Sequence, residues 1–224
     1  MRFSIIIPVL NEAPGLNRTL RDIAVLQAQG AEIVLVDGGS QDATVAIANE
    51  RGFAAIPSDR GRARQMNTGA RHASGDVLVF LHADTSLPRG ALQEIALALQ
   101  GGRHVWGRFD VRIEGRSCLL GAVALSMNWR SRFTGIATGD QAIFVTRAAF
   151  MSVGGYPDQP LMEDIEISKR LRRLSSPACI ARRAITSGRR WDSYGVVRTI
   201  VLMWKLRWAY WRGVPASELA RAYR

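Results

Sequence analysis

The stretch Asp76-Val-Leu-Val-Phe-Leu-His82-Ala-Asp84 constrains this chain more than any other. Its apolar run is rich in β-branched and aromatic residues and too short for a helix, so it reads as a strand buried on both faces. Strands of that kind belong to parallel sheets covered by helices, and ligands of such sheets bind just beyond the carboxyl ends of the strands. His82 and Asp84 emerge at that place. A carboxylate there can hold a divalent cation, and the cation a diphosphate. The same Asp can equally start the helix that follows Leu87-Pro-Arg-Gly.

The rest of the first half repeats this rhythm. Strands are expected at Phe3–Val9, Glu32–Val36 and Phe53–Ile56, and helices at Leu16–Leu26, Ala43–Glu50 and Arg60–Ala73. Pro14 marks a helix start and Gly30 a helix end. This alternation predicts an α/β fold: a mostly parallel central sheet with helices on both faces. The second half is less regular. Strands are expected at Val105–Ile113 and Gln141–Val145, and helices at Leu119–Asn128 and Glu163–Leu174. A single domain over residues 1–224 is expected, divided into 1–100, 101–191 and a basic amphipathic C-terminal helix in 192–224.

Polar residues stand at the ends of several strands: Asn11 and Glu12, Asp37 and Ser40, His82 and Asp84. If the strands are parallel, these groups converge on one edge. Asp37 is suited to accept hydrogen bonds from a base or ribose, and Gly38-Gly39 lets a ligand approach the backbone, although Asp-Gly-Gly-Ser alone is also an ordinary turn. Thr138-Gly139-Asp140-Gln141 is either a plain turn or part of a sugar or acceptor site.

Charge narrows the partner. Thirty Lys and Arg against nineteen Asp and Glu give a net charge of +11, which favours an anionic ligand or surface: nucleotide phosphate, nucleic acid or acidic lipid. The cations crowd the last fifth, from Arg182 to Arg224. Nucleic acid fits less well, because neither zinc-finger spacing nor an aromatic RNA-binding strand is present. A nucleotidyltransferase would want a Gly-rich phosphate loop after the first strand, where Asn-Glu-Ala-Pro-Gly stands. The opening segment does not read as a secretory signal, no run is apolar enough to span a bilayer, and Cys118 and Cys179 read as buried thiols, so a cytoplasmic location is expected.

Taken in order, the motifs Ile5-Ile-Ile-Pro8-Val-Leu-Asn11-Glu12, Val36-Asp37-Gly-Gly-Ser40-Gln-Asp42-Ala-Thr44, Asn67-Thr-Gly69, Leu81-His82-Ala-Asp84 and Glu163-Asp164 resemble the family-two glycosyltransferases of GT-A fold. The sequence looks most like a small bacterial subgroup carrying Arg62-Ala-Arg64-Gln-Met-Asn67 and a His-Ala-Asp in place of Asp-x-Asp. The resemblance implies a metal-assisted, inverting transfer from a nucleotide-diphosphate sugar to an acceptor hydroxyl. Asp37 would contact the base, with Pro8, Asn11 and Glu12 in the same pocket and Ser40, Arg64 and Asn67 nearby. Asp84 would hold Mg²⁺ or Mn²⁺, and His82 would touch the ribose or diphosphate or stand behind them. Asp164 would be the general base beside Glu163, and Asp140 and Gln141 would border the sugar. Ser187-Gly-Arg189-Arg190-Trp191 resembles a Gln-x-x-Arg-Trp motif without its Gln; Arg190 would clamp the diphosphate and Trp191 would stack on an acceptor.

In Ser193–Arg212, Val197, Ile200, Val201, Trp204, Trp208 and Trp211 share one helical face, with Arg198, Lys205 and Arg212 on another. Such a helix fits an anionic membrane surface on the cytoplasmic face, where a lipid-linked acceptor would give it a purpose; a homodimer interface or packing on its own core are the alternatives.

Overall fold

The structure is a computed structural model and describes residues 1–223. Strands β1 (Phe3–Val9), β2 (Glu32–Asp37), β3 (Ala55–Pro57) and β4 (Val77–Phe80) pair in parallel in the order β3-β2-β1-β4. The sheet continues through β7 (Phe144–Thr146), β6 (Trp106–Glu114), β8 (Ala178–Ser187) and β5 (Thr85–Ser86). β7 joins antiparallel on both sides, and β6 and β8 run parallel.

Period-two alternation along β1 divides the core. Ile5 and Ile7 pack with Leu16, Leu20 and Ile23 of α1 (Ala13–Ala28) and with Leu92 and Ile95 of α4 (Ala91–Leu99). Ile6 faces the other way, onto Met66 and Ala70 of α3 (Arg62–His72) and Ile167 and Leu171 of α7 (Glu163–Leu171). Helices therefore cover both faces, as the buried apolar runs require. α2 (Thr44–Glu50) joins β2 to β3.

Departures from the sequence reading concentrate in the second half. The strand expected over Gln141–Val145 begins at Phe144, because Gly139–Gln141 forms a 3₁₀ turn and Ala142 takes a φ of 47°. β8 escapes the periodicity. Between Phe109↔Ile180 and Asp110↔Arg183 its register slips, so a bulge breaks the alternation and Ala181, Arg182 and Arg183 are exposed in mid-strand. The single C-terminal helix is three: α8 (Arg189–Tyr194), α9 (Val196–Trp211) and α10 (Ala216–Tyr223), with Gly195 at φ 83° forcing the first break. Cys118 is exposed rather than buried, because it lies in the turn before α5 (Leu120–Thr134), and Cys179 is half-buried. α6 (Arg147–Ser152) follows β7. No described helix is long and apolar enough to cross a membrane.

Candidate active site

Beyond the carboxyl ends of β1, β4 and β8 lies a cavity of about 820 Å³, floored by the strand ends and walled by α5, α7, α9 and Tyr223 of α10. The loop after β1 is sewn to the turn after β2. Asn11, at φ 53°, accepts from the Gln41 amide (2.8 Å); the Asn11 amide donates to Ser40 Oγ (2.9 Å) and the Glu12 amide to Thr44 Oγ1 (2.8 Å). Asp37 accepts from the Gly39 and Ser40 amides (2.9 and 3.0 Å) and from the Ser40 hydroxyl. Gln65, almost fully buried, donates to the carbonyls of Val9 and Val36, both at 2.8 Å. A β-carbon on Gly38 would come within 2.9 Å of Gln65, so the absent side chain there makes room for this tie.

β4 ends by releasing His82, Ala83 and Asp84 from the sheet. The Ser187 amide donates to the Asp84 carbonyl (3.2 Å), and two residues further on α8 begins. The guanidinium of Arg189 consequently reaches Glu12 at 2.9 Å and Asp84 at 3.7 Å. Three strand ends thus meet in one cation and two carboxylates. Arg190 instead lies 3.6 Å over the ring of Tyr223 and donates to its carbonyl (3.0 Å), while Trp191 lines the cavity and packs against the cluster of Val111, Leu120, Val123 and Val196.

The opposite wall carries the acidic pair. Met162 takes a left-handed φ of 64°, a conformation that costs a non-glycine residue about 1–3 kcal/mol and tends to mark functional sites. Packing against Leu206 of α9 and Leu219 of α10 holds it there. The turn buries Glu163, 3.6 Å from Arg62, and brings Asp164 to the cavity. Asp164 accepts from its neighbour Ile165 (2.8 Å) and from the Gly139 amide (3.2 Å). Burial, and then the charge of Asp164, push the Glu163 carboxyl above its usual range despite Arg62.

Gly139 and Asp140 link the two walls. A β-carbon at Gly139 would lie 2.2 Å from His82 Nε2, so only glycine fits against that ring. His82 Nδ1 is 3.3 Å from Asp140 Oδ1, and its Nε2 is buried with no partner. Desolvation in the cleft pushes the Asp140 carboxyl up, but His82, Arg62 and Arg207 outweigh it and hold the group low.

The donor set around Asp84 suits a cation that arrives with its ligand. Its side chain is one-third exposed, and no group of three or more His, Cys, Asp or Glu gathers among the described residues. Mg²⁺ is commonly held by one or two carboxylates, with substrate phosphates and waters completing the shell. One open carboxylate therefore fits such an ion, whereas a metal held by protein groups alone does not fit.

Of the residues read from sequence, Pro8, Glu12, His82, Asp84, Asp140, Glu163, Asp164, Arg190 and Trp191 line the cavity. Asn11, Asp37, Ser40, Arg64, Asn67 and Gln141 do not. Arg64 turns outward to pair with Asp158 (2.8 and 3.0 Å), because on α3 it faces away from the side of Arg62 and Gln65. Asn67 clasps the backbone of Tyr156 at 2.8 and 2.9 Å. Gln141 is fully buried between Thr138 and Asn128. Sequence reasoning missed Arg62, Gln65, Arg130, Arg189 and Arg207 as lining residues. Arg62 and Gln65 stood in the motif already singled out, and helical spacing shows that they share a face.

Residues 4–145 match the model of Glycosyl transferase family 2. An uncharacterized glycosyltransferase of Mycobacterium tuberculosis is 33% identical over 188 residues, covering 79% of this chain and 71% of that protein. Among solved structures, a mannosyltransferase of Pyrobaculum calidifontis in complex with GDP-Man and Mn²⁺ superposes with a TM-score of 0.62 at 22% identity, covering 82% of this chain and 56% of that one. Glucosyl-3-phosphoglycerate synthase of Mycobacterium tuberculosis, in complex with Mg²⁺ and UDP, gives 0.61 at 17% identity over 83% of this chain and 70% of that one. This chain thus spans little more than half of the mannosyltransferase, and both structural likenesses concern the fold.

Proposed function

The chain belongs to glycosyl transferase family 2, and from that premise we propose that the cavity binds a nucleotide-diphosphate sugar and passes its glycosyl group to an acceptor hydroxyl with inversion. The observation that carries this reading is the placement of Asp84 and Arg189 on one side of the Gly139–Asp140 turn and Asp164 on the other. The diphosphate lies against Arg189 and Asp84, and the nucleoside extends toward Pro8, Val9 and Gln65. A base contact by Asp37 requires the ligand to displace the Ser40 hydroxyl from it. Mg²⁺ or Mn²⁺ held by Asp84, when bound, offsets charge on the diphosphate.

Asp164 takes the proton of the acceptor hydroxyl. That oxygen forms its bond to the anomeric carbon as the bond to the diphosphate oxygen breaks, and the electron pair leaves with the nucleoside diphosphate. Arg189 neutralises the charge that gathers there. Glu163, buried next to Asp164 in the chain, pairs with Arg62, and the Gly139 amide holds the Asp164 carboxylate. The finding that α9 exposes Val197, Val201, Trp204, Trp208 and Trp211 while α5 and α9 carry no acidic residue supports contact with an anionic membrane, the surface on which a lipid-linked acceptor would be met. Location on the cytoplasmic face of such a membrane belongs to the same reading.

A thermal-shift screen of nucleoside diphosphates and their sugars, with and without Mn²⁺, tests the donor assignment. A ligand at one hundred times its dissociation constant stabilises by about 2.7 kcal/mol. No shift with any nucleotide overturns it.

A further inference from the structure

The cavity's charges do not close among themselves. Arg189 takes Glu12 and Asp84, Arg62 takes Glu163, Asp140 faces His82, and Asp164 is held by two backbone amides. Arg190 is stacked on Tyr223. Arg130 of α5 and Arg207 of α9 line the same cavity, and among the described residues neither makes an ion pair. Arg130 donates only to the Ile136 carbonyl, at 3.3 Å, and its Nε and second terminal nitrogen are buried without a partner. Burial, with the charge of Arg207 adding to it, pushes this guanidinium down to about 10. Two cations that repel each other, one of them stripped of water and partners, are costly unless an anion comes between them.

Resting on the glycosyltransferase reading, we propose that Arg130 and Arg207 form an anion subsite that receives a phosphate group carried by the acceptor. A phosphate monoester brings a charge near −2 at neutral pH, which suits two guanidinium groups that stand outside any ion pair and have only the more distant charges of Asp140 and Asp164 to offset them, and its oxygens suit their forked donors. The subsite lies on the wall made by α5 and α9, whereas Arg189 stands with Glu12 and Asp84 at the strand ends. A phosphate fixed there leaves the rest of the acceptor to present its hydroxyl to Asp164. The Arg189 side remains for the donor's diphosphate.

Calorimetric titration of inorganic phosphate into the intact protein, at constant ionic strength, tests the subsite. Wild type should bind phosphate, and Arg130→Gln and Arg207→Gln should each weaken it about tenfold or more, as loss of a charge-assisted contact does. Arg198→Gln, outside this cavity, should not. Phosphate should still bind when a nucleoside diphosphate with Mn²⁺ is saturating. Equal phosphate affinity in wild type and both variants, or displacement of phosphate by the nucleotide, overturns the proposal. Among the described residues the Arg207 side chain makes no hydrogen bond that holds the fold, so its variant stays informative if Arg130→Gln does not fold. Farnesyl phosphate and glycerol 3-phosphate, titrated in parallel, separate the sources: tighter farnesyl phosphate means a lipid headgroup, parity means a water-soluble phosphate. Phosphate binding without any nucleotide binding would leave the subsite standing and remove the donor reading; the converse would remove only the subsite.

Discussion

The two sides of the cavity use polar residues in opposite ways. On the side of β1 and β2, Asn11, Asp37, Ser40 and Thr44 satisfy one another and the backbone, and they hold two loops in register. On the side of α5, α7 and α9, Asp164 and Arg130 face the cavity with capacity unspent. Closed networks build the floor, and open charges are left for a ligand. Substitutions on the first side should therefore cost stability, and substitutions on the second should cost activity or affinity.

The largest effect separating the two belongs to Asp164→Asn. It keeps the shape and the Gly139 contact but removes the carboxylate proposed as the base, so turnover should fall about a hundred- to ten-thousand-fold with the melting temperature nearly unchanged. Steady-state rates on the true acceptor check this, and near-normal turnover would dissolve the distinction. Asp37→Ala should do the reverse first. Three donors lose their acceptor, and about 1–3 kcal/mol of unfolding free energy should go, read from urea midpoints. Arg198→Gln on α9 should weaken binding to anionic vesicles by about 1 kcal/mol, roughly fivefold, and leave neutral vesicles unaffected.

The smallest effect is a slope. Because burial raises the Glu163 carboxyl above 4.5, the fold favours its protonated form. That contribution is whole below the unfolded value and is lost as pH rises through the higher folded one. Glu163→Gln should therefore flatten the fall in stability over that window. Unfolding curves taken from pH 4 to 7 measure it, and an unchanged slope would show that Glu163 ionises freely.

Much of the floor was legible in the sequence, because parallel strands buried on both faces announce themselves as apolar runs and their polar ends converge by topology alone. Glu12, His82 and Asp84 follow from that, whereas Pro8 comes only from the family resemblance. The open wall was not legible in the same way. β8 hid behind a bulge that exposes Arg182 and Arg183, and without β8 nothing places Arg189 between Glu12 and Asp84. Arg130 and Arg207 lie on separate helices, and their meeting depends on how α5 and α9 pack. Asp37 and Asn67 are residues of the type that bind ligands, and in this structure their side chains are engaged by the Gly39–Ser40 turn and by the backbone of Tyr156, which sequence alone does not reveal.

The central claim is that donor and acceptor chemistry divide between Asp84 and Asp164. Calorimetric titration of the nucleoside diphosphate found by the screen, with Mn²⁺, into wild type, Asp84→Ala and Asp164→Asn tests it most directly. Even outer partners of a metal site cost about 10- to 100-fold in affinity, so Asp84→Ala should lose at least that much, while Asp164→Asn should bind as wild type does. Equal binding by Asp84→Ala, or a comparable loss in Asp164→Asn, would contradict the division.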